Sequence, residues 1–291
     1  MQGGTVKKIG FIGVGPVGTA FGVRLAGLGY EVIGVYDLSA AAAQRFAGRV
    51  AGCQVYEKAQ DMVDDAEAIF ITTPDDIIPK VARQLEWHEG QTVLHCSGAT
   101  SVEALAPARE KGAMVGSIHP CQTFAGVDQA IENLPGSTFA IEAEEPVRGI
   151  LTDMARALGG DCVYLSAEDK ALYHAAACIA CNYFITLVKL ATDLWQNFGK
   201  STDEATKAYL PLLRGAVNNI AHTGLPGCLT GPIARGDVNT VRKHLDALEK
   251  RASPSLISLY RALGMETIPI ALAKGTLSEE AAAKLRELLK S

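Results

Sequence analysis

The run GVGPVG at residues 13–18 places glycines at positions 13, 15 and 18, a spacing with a specific physical use. Gly13 permits a tight turn, Gly15 lets the backbone approach a pyrophosphate, and Gly18 permits close packing of helix on strand. Pro16 and Val17 open the helix, whose free amides and dipole favour an anion. A strand precedes the run, and the next strand ends at Asp37, 19 residues beyond Gly18. That context marks a dinucleotide site rather than a chance glycine pattern. A carboxylate at this place accepts hydrogen bonds from ribose hydroxyls and repels a 2′-phosphate, so of NAD and NADP it favours NAD. The competing use of Asp37 is to cap a helix beginning near Ser39. Thr73 and Pro74, in the run Thr72 to Asp75, end another strand on the edge where open α/β sheets bind ligands, although a plain Pro-Asp helix start fits them too.

A second set lies on one helical stripe. Lys170, His174, Cys178 and Asn182 recur every four residues, which keeps them near one face with about 20° of drift per two turns. His174 could serve as acid/base or substrate ligand, with Asn182 orienting the substrate; each could equally be a buried polar group satisfied by neighbouring helices. Arg235 could grip a carboxylate bidentately or serve a subunit interface, while Asp237 is expected to cap the helix starting near Asn239. Cys178 and Cys181 have redox-pair spacing but sit deep in a helical pattern, away from the helix-opening position that lowers a thiol pKa, so core packing is the expectation. His95, Cys96, His119 and Cys121 are metal-ligand types. Strand alternation sends His95 and Cys96 to opposite faces, so no metal is expected.

Two kinds of element must position these residues. Through residue 165 short β-rich runs (7–13, 31–37, 68–72, 92–95, 114–118, 138–142, 162–165) alternate with helical periodicity at 17–28, 40–51, 77–85, 101–111 and 145–158. This is the pattern of a doubly wound, mostly parallel α/β sheet. From residue 168 to 198 there is one long helical pattern, followed by 202–221, 240–250, 253–265 and 278–290, with no convincing strand. The chain therefore divides into a nucleotide-binding domain at 1–165 and an all-α domain at 166–291. Gly199 is placed to end the long helix, and the Gly/Pro-rich loop 223–237 is long enough to suggest a functional role.

Composition narrows the partners. At 48% hydrophobic and 20% charged residues the chain is globular, and a net charge of -5 without a basic cluster argues against nucleic acid and for a small-molecule partner. Seven cysteines, an odd number without a cleavable leader, fit a reduced, cytoplasmic protein. The apolar run 171–188 is long enough for a membrane span, but it carries His174 and Asn182 between Lys170 and Lys189. It reads as a buried core helix, with no membrane partner.

Three stretches carry a family resemblance: GSIHPCQTF at 116–124, YHAAA at 173–177 with Asn182, and LTGPIARGD at 229–237. Together with the glycine run they resemble, over nearly the whole chain, a family of Rossmann-like proteins classed as oxidoreductases whose C-terminal domain has no assigned function. That family lies within the superfamily of 6-phosphogluconate dehydrogenase, ketopantoate reductase, pyrroline-5-carboxylate reductase and prephenate dehydrogenase. The resemblance implies a Rossmann domain followed by an all-α 6-phosphogluconate dehydrogenase-like domain, and a homodimer formed through the latter. In prephenate dehydrogenases a strand ending in Gly-x-His-Pro presents its His to the substrate hydroxyl, which is similar to Gly116 through Pro120. His119 is then the expected proton acceptor, with Ser97 matching a serine on the preceding strand end. Gln122, within the same stretch as His119, and Arg235 are the candidate substrate ligands. The β-hydroxyacid dehydrogenases place a catalytic Lys four residues before an Asn on the first long helix; here Cys178 stands at that spacing before Asn182.

The expectation is an NAD(P)-dependent dehydrogenase or reductase that moves a hydride between nicotinamide and a small hydroxy, keto or imino acid. The nicotinamide would lie near Thr73, Pro74 and Ser97, and His119 or His174 would carry the proton. Two other readings remain: a dinucleotide-binding sensor or scaffold without turnover, supported by the missing Lys, and a reductase whose second redox partner is a flavin or deazaflavin.

Overall fold

A computed structural model of the chain describes residues 8–290. Residue 7, the expected start of the first strand, lies outside them. Elements alternate as β1 (Lys8–Ile12), α1 (Pro16–Gly27), β2 (Glu31–Tyr36), α2 (Ala40–Ala47), β3 (Gln54–Val55), α3 (Ala59–Asp65), β4 (Ala68–Ile71) and α4 (Ile78–Gln84). They continue as β5 (Thr92–His95), α5 (Ala106–Glu110), β6 (Met114–Pro120), α6 (Val127–Asn133), β7 (Thr138–Ala143), α7 (Val147–Ala157), β8 (Asp161–Tyr164) and α8 (Asp169–Ala180).

The strands form one sheet in the order β3-β2-β1-β4-β5-β6-β7-β8, parallel throughout except where β6 meets β7. β1 lies between β2 and β4, so the chain reverses its direction of travel across the sheet at the glycine run; such a switch point opens a crevice at the carboxyl ends of the strands. The sheet is covered on both faces, as its continuously apolar strands require. In β4, Ala68 and Phe70 pack with Phe11, Phe21 and Phe139 on one side, whereas Ile69 and Ile71 pack with Met62, Ile78 and Trp87 on the other. The two-residue β3 and the short helices α3 and α6 fall where no element was expected, being too brief to show a period.

Residues 8–181 and 182–290 lie in separate compact units. The first unit therefore runs past residue 165 to include α8, whose Lys170, Tyr173 and His174 engage the sheet. The second unit contains α9 (Asn182–Leu194), a 3-10 turn at Trp195–Phe198, α10 (Thr202–Thr223), a 3-10 turn at Ile233–Arg235, α11 (Val238–Arg251), α12 (Pro254–Lys274) and α13 (Glu279–Lys290). Its core joins Val241 and Leu245 of α11, Ile268 and Ala271 of α12, and Leu285 and Leu289 of α13. Ser201 and Glu204 form a capping box on α10, and Gly199 takes the expected left-handed cap at φ 78°. α12 continues past Met265 and through Pro269, because Ile268 and Ala271 are needed to complete that core.

One expectation is overturned. The 168–198 pattern is not one helix, since it breaks at Cys181 (φ −117°, ψ −66°), and it is not a buried core helix. Leu172 is 76% exposed, Ile179 63% and Tyr183 60%. Only one face of α8 (170, 173, 174, 177, 178, 181) turns toward protein, so the remaining apolar side chains stay on the outside of the single chain. By length and composition alone, residues 169–198 and Pro254–Lys274 are each apolar enough to cross a membrane.

Candidate active site

The glycine run forms a braced cradle. Gly13 takes φ +82°, and its N–H donates to Tyr36 O at 2.9 Å. Its carbonyl accepts the Thr72 hydroxyl, and Val14 N–H donates to Asp37 Oδ2 at 2.8 Å. A Cβ at Gly18 would strike Thr72 Oγ1 and come within 2.8 Å of Gly13 O, so glycine is required for helix α1 to approach the strand. A Cβ at Gly15, by contrast, would meet nothing within 4 Å. The backbone at the first turn of α1 is thus open to a ligand, with Pro16 at the first helical position. Thr73 Oγ1 is buried there without a hydrogen-bond partner. An adjoining cavity of about 680 Å³ is lined by Gly13, Gly15, Asp37, Thr73, Pro74 and Ile77, among others. Asp37 does not cap α2; Ser39 does, accepting from Ala42 N–H, and Asp37 Oδ1 accepts from Ser39 N–H at 2.7 Å. Its carboxylate faces the cavity, as a ribose ligand must. The open first turn, the orphaned Thr73 hydroxyl and the placed carboxylate all fit a dinucleotide.

A second cluster lies at the ends of β5 and β6. Ser117 pairs with His95, the last residue of β5, and His119 follows two residues further along the same face of β6. α8 keeps step with this spacing: Lys170 meets Ser117, and one turn later Tyr173 and His174 meet His119. Two strand residues and one helical turn both advance about 5–7 Å, which is why the registers agree. Tyr173 Oη lies 2.9 Å from His119 Nδ1, and the imidazoles of His119 and His174 sit edge to face with centroids 5.9 Å apart. Gly98 closes the group. A Cβ there would lie 2.6 Å from His174 Cδ2 and 2.8 Å from His119 Nε2.

Behind these rings is a buried charge pair. Lys170, 1% exposed, donates to Ser97 O at 2.9 Å and to Ser117 Oγ, with its Nζ 3.7 Å from Glu142 Oε2. Glu142 also accepts from Ser101 Oγ (2.7 Å) and Val102 N–H (3.1 Å). Burial lowers the Lys170 pKa against the opposing pull of Glu142. It also pushes His95 down to about 3 and His119 to about 4, with repulsion from Lys170 adding to both and from His174 to His119. Both imidazoles are therefore neutral at pH 7. His95 is saturated: Nδ1 accepts Ser97 N–H, leaving Nε2–H for Ser101 O. Ser97 itself is committed to its loop, its hydroxyl accepting from Thr100 N–H at 2.9 Å.

The structure thus brings together Ser97, His119 and His174, and places Gly13, Gly15, Pro16, Val17, Asp37, Thr73 and Pro74 around the cavity, with Gly18 behind it where α1 packs on Thr72. Gln122 is turned away, its amide spent on Asn133 O and Thr123 N–H. Asn182 opens α9 beyond the break at Cys181 and is exposed, and Arg235 is exposed in the second unit. Asp237 caps α11 through Thr240, as expected. Among the described residues no three His, Cys, Asp or Glu side chains gather as a metal site. Sequence reasoning missed Tyr173, Gly98, Ser117 and Glu142. Tyr173 had a usable signal, being three residues from Lys170 on the same helical face.

The switch point, glycine turn and helical second unit define a Rossmann-type fold with an all-α extension. Residues 4–120 match the model of a Rossmann-like domain, and residues 137–267 match a domain of unknown function, DUF2520. The chain joins these two domains, as the sequence resemblance implied. Among solved structures, BF3122 from Bacteroides fragilis, whose own assignment as an NADP oxidoreductase is provisional, is 21% identical with a TM-score of 0.70. That match covers 90% of this chain and 98% of the other. Protein TM1727 from Thermotoga maritima is 25% identical at a TM-score of 0.67, covering 97% and 98%. A reductive aminase from Aspergillus terreus in complex with NADPH and ethyl levulinate is 16% identical at 0.64, covering 98% and 99%. No curated protein matches by sequence.

Proposed function

We propose that this chain is a nicotinamide-dependent oxidoreductase that interconverts a small keto acid with its hydroxy acid, or reduces the corresponding imino acid. The observation that carries this reading is the pairing of the braced glycine cradle with the group of His119, Tyr173 and His174 on one sheet edge. β6 lies three strand positions from β1 along that edge, on the β4 side of the switch point, across whose crevice a dinucleotide would lie. The Gly15 amide region and the first turn of α1 would hold the pyrophosphate, Asp37 the ribose, and Thr73 and Pro74 the approach to the nicotinamide. Bound there, the cofactor supplies the hydride chemistry.

His119 or His174 would serve the reacting oxygen or nitrogen of the substrate. Lys170 is spent on Glu142 and the Ser97 loop, so it holds the framework rather than the substrate. The preference for NAD rests on the Asp37 carboxylate alone, since the Aspergillus terreus relative holds NADPH. Seven free thiols support a reducing, cytoplasmic setting. The exposed Leu172 and Ile179 on α8, and Tyr183, Phe184 and Ile185 on α9, are compatible with a homodimer through helical surfaces.

The test is fluorescence titration with NADH and NADPH, followed by a screen of keto, hydroxy and imino acids. Failure to bind either nucleotide overturns the proposal, and a marked NADPH preference overturns the assignment of Asp37. Binding without turnover on any substrate favours the sensor reading.

A further inference from the structure

We propose that Tyr173 is a positioning residue that fixes His119 as the tautomer with its proton on Nε2, so that His119 meets its ligand as a neutral hydrogen-bond donor. This rests on the reading of His119 as a substrate-facing group and extends it to the form in which the ring acts.

The argument begins with a single contact, Tyr173 Oη to His119 Nδ1 at 2.9 Å. A neutral imidazole has one N–H and one lone pair, and whichever nitrogen takes the partner determines what the other offers. Two arrangements satisfy the distance. The imidazole lone pair is far more basic than a phenol oxygen, so the favoured one has the phenol donate and Nδ1 accept. The other groups facing this pair do not reverse that choice. Lys170 and His174 face His119 from α8, while His95 ends β5, Ser117 lies on β6, Cys121 follows just beyond it, and Gly98 comes from the loop after β5. The Cys121 sulfur also lies against the Tyr173 hydroxyl as an alternative acceptor, but sulfur accepts weakly, so the single phenol proton goes to the imidazole lone pair.

The ring stays neutral because it is buried beside Lys170 and His174, which holds its pKa at about 4. Protonation therefore does not erase the tautomer at physiological pH. Nε2 lies against the Gly98 backbone, where a Cβ would approach it to 2.8 Å. Only glycine leaves that nitrogen uncovered. A neutral N–H in this position suits an acceptor atom such as a carbonyl oxygen, and it offers no lone pair to a cationic iminium.

The experiment is long-range 1H–15N correlation NMR on protein labelled with 15N-histidine at pH 7, with His119 assigned from its absence in His119→Asn. The expected wild-type pattern is an unprotonated Nδ1 and a protonated Nε2. In Tyr173→Phe the two nitrogen shifts should move toward each other as the tautomers mix, while the five other histidines keep theirs. A wild-type His119 protonated on Nδ1, or an unchanged tautomer in Tyr173→Phe, overturns the proposal. The wild-type spectrum decides the matter by itself should the variant not fold. Nucleotide titration keeps the two readings apart: the expected tautomer without NADH or NADPH binding removes the oxidoreductase assignment and leaves the Tyr173 pairing in place.

Discussion

Replacing Lys170 by Met tests whether the site rests on a buried charge pair. Lys170 is 1% exposed with its Nζ 3.7 Å from Glu142 Oε2, a separation worth about 4–5 kcal/mol of attraction at an effective dielectric of about 20. Desolvation of both groups offsets much of that, so the pair itself adds little net stability. Removing one partner is different. Lys170→Met strands a carboxylate that is 6% exposed, and a cost of about 3–5 kcal/mol is expected. Glu142→Gln should cost less, because the Gln carbonyl can still accept from Ser101 or Val102 and the ammonium keeps Ser97 O and Ser117 Oγ as acceptors. The double variant should recover part of the loss, with a coupling of about 1–3 kcal/mol. Urea unfolding reports this cleanly in a Trp195→Phe background, which leaves the buried Trp87 as the sole tryptophan and places the signal in the sheet unit. A Lys170→Met cost within about 0.5 kcal/mol, or a coupling near zero, would refute the reasoning.

Gly98→Ala should destabilise by about 1–3 kcal/mol, because its methyl would lie 2.6–2.9 Å from two rings that are themselves held by Tyr173 and Cys178; near-neutral urea unfolding would contradict it. Gly18→Val should weaken NADH binding at least tenfold by forcing α1 off Thr72, as read by fluorescence titration, and an unchanged Kd would remove the cradle argument. Stability should fall with acid. Both His95 and His119 have folded pKa values depressed from 6.5, to about 3 and about 4, so the unfolded chain takes up protons first. Their contribution is complete above pH 6.5 and is lost as pH falls toward 3–4, with His95 accounting for up to about 5 kcal/mol. His95→Gln should flatten that part of the pH–stability curve.

The glycine cradle was legible because each of its requirements is local. The turn at Gly13, the open Gly15 and the packing at Gly18 depend on strand, loop and helix contiguous in sequence, and Asp37 is one strand away. The second cluster was only half legible, because its members converge from β5, β6, β7 and α8 and their spacing in the chain carries no record of that. His119 and His174 drew notice by residue type. Glu142 did not, since a lone acidic residue on an apolar strand announces a buried partner only once Lys170 is seen to reach it. The four-residue stripe was misleading for a related reason. It assumed an unbroken helix, and the break at Cys181 puts Asn182 in the other unit, while the turn of α8 facing β6 uses Tyr173 as well as His174.

This difference bears on the reaction. A stripe of Lys, His and Asn along one helix would put the acid/base group and the substrate-orienting group on a single rigid element. The fold instead sets His119 on a strand and Tyr173 on the helix that covers it, with Gly98 against the His119 and His174 rings. The hydrogen bond His119 can offer then depends on how closely α8 lies on β6, a distance fixed by the Lys170 contacts one turn earlier. Lys170→Met should accordingly disturb the His119–Tyr173 contact as well as stability. In the histidine NMR experiment it should mix the His119 tautomers much as Tyr173→Phe does, whereas Lys170→Arg, which can keep the charge and its donors, should preserve them if its bulk is accommodated. An unmixed tautomer in a folded Lys170→Met protein would show that the helix register, rather than the charge pair, sets the geometry of the site.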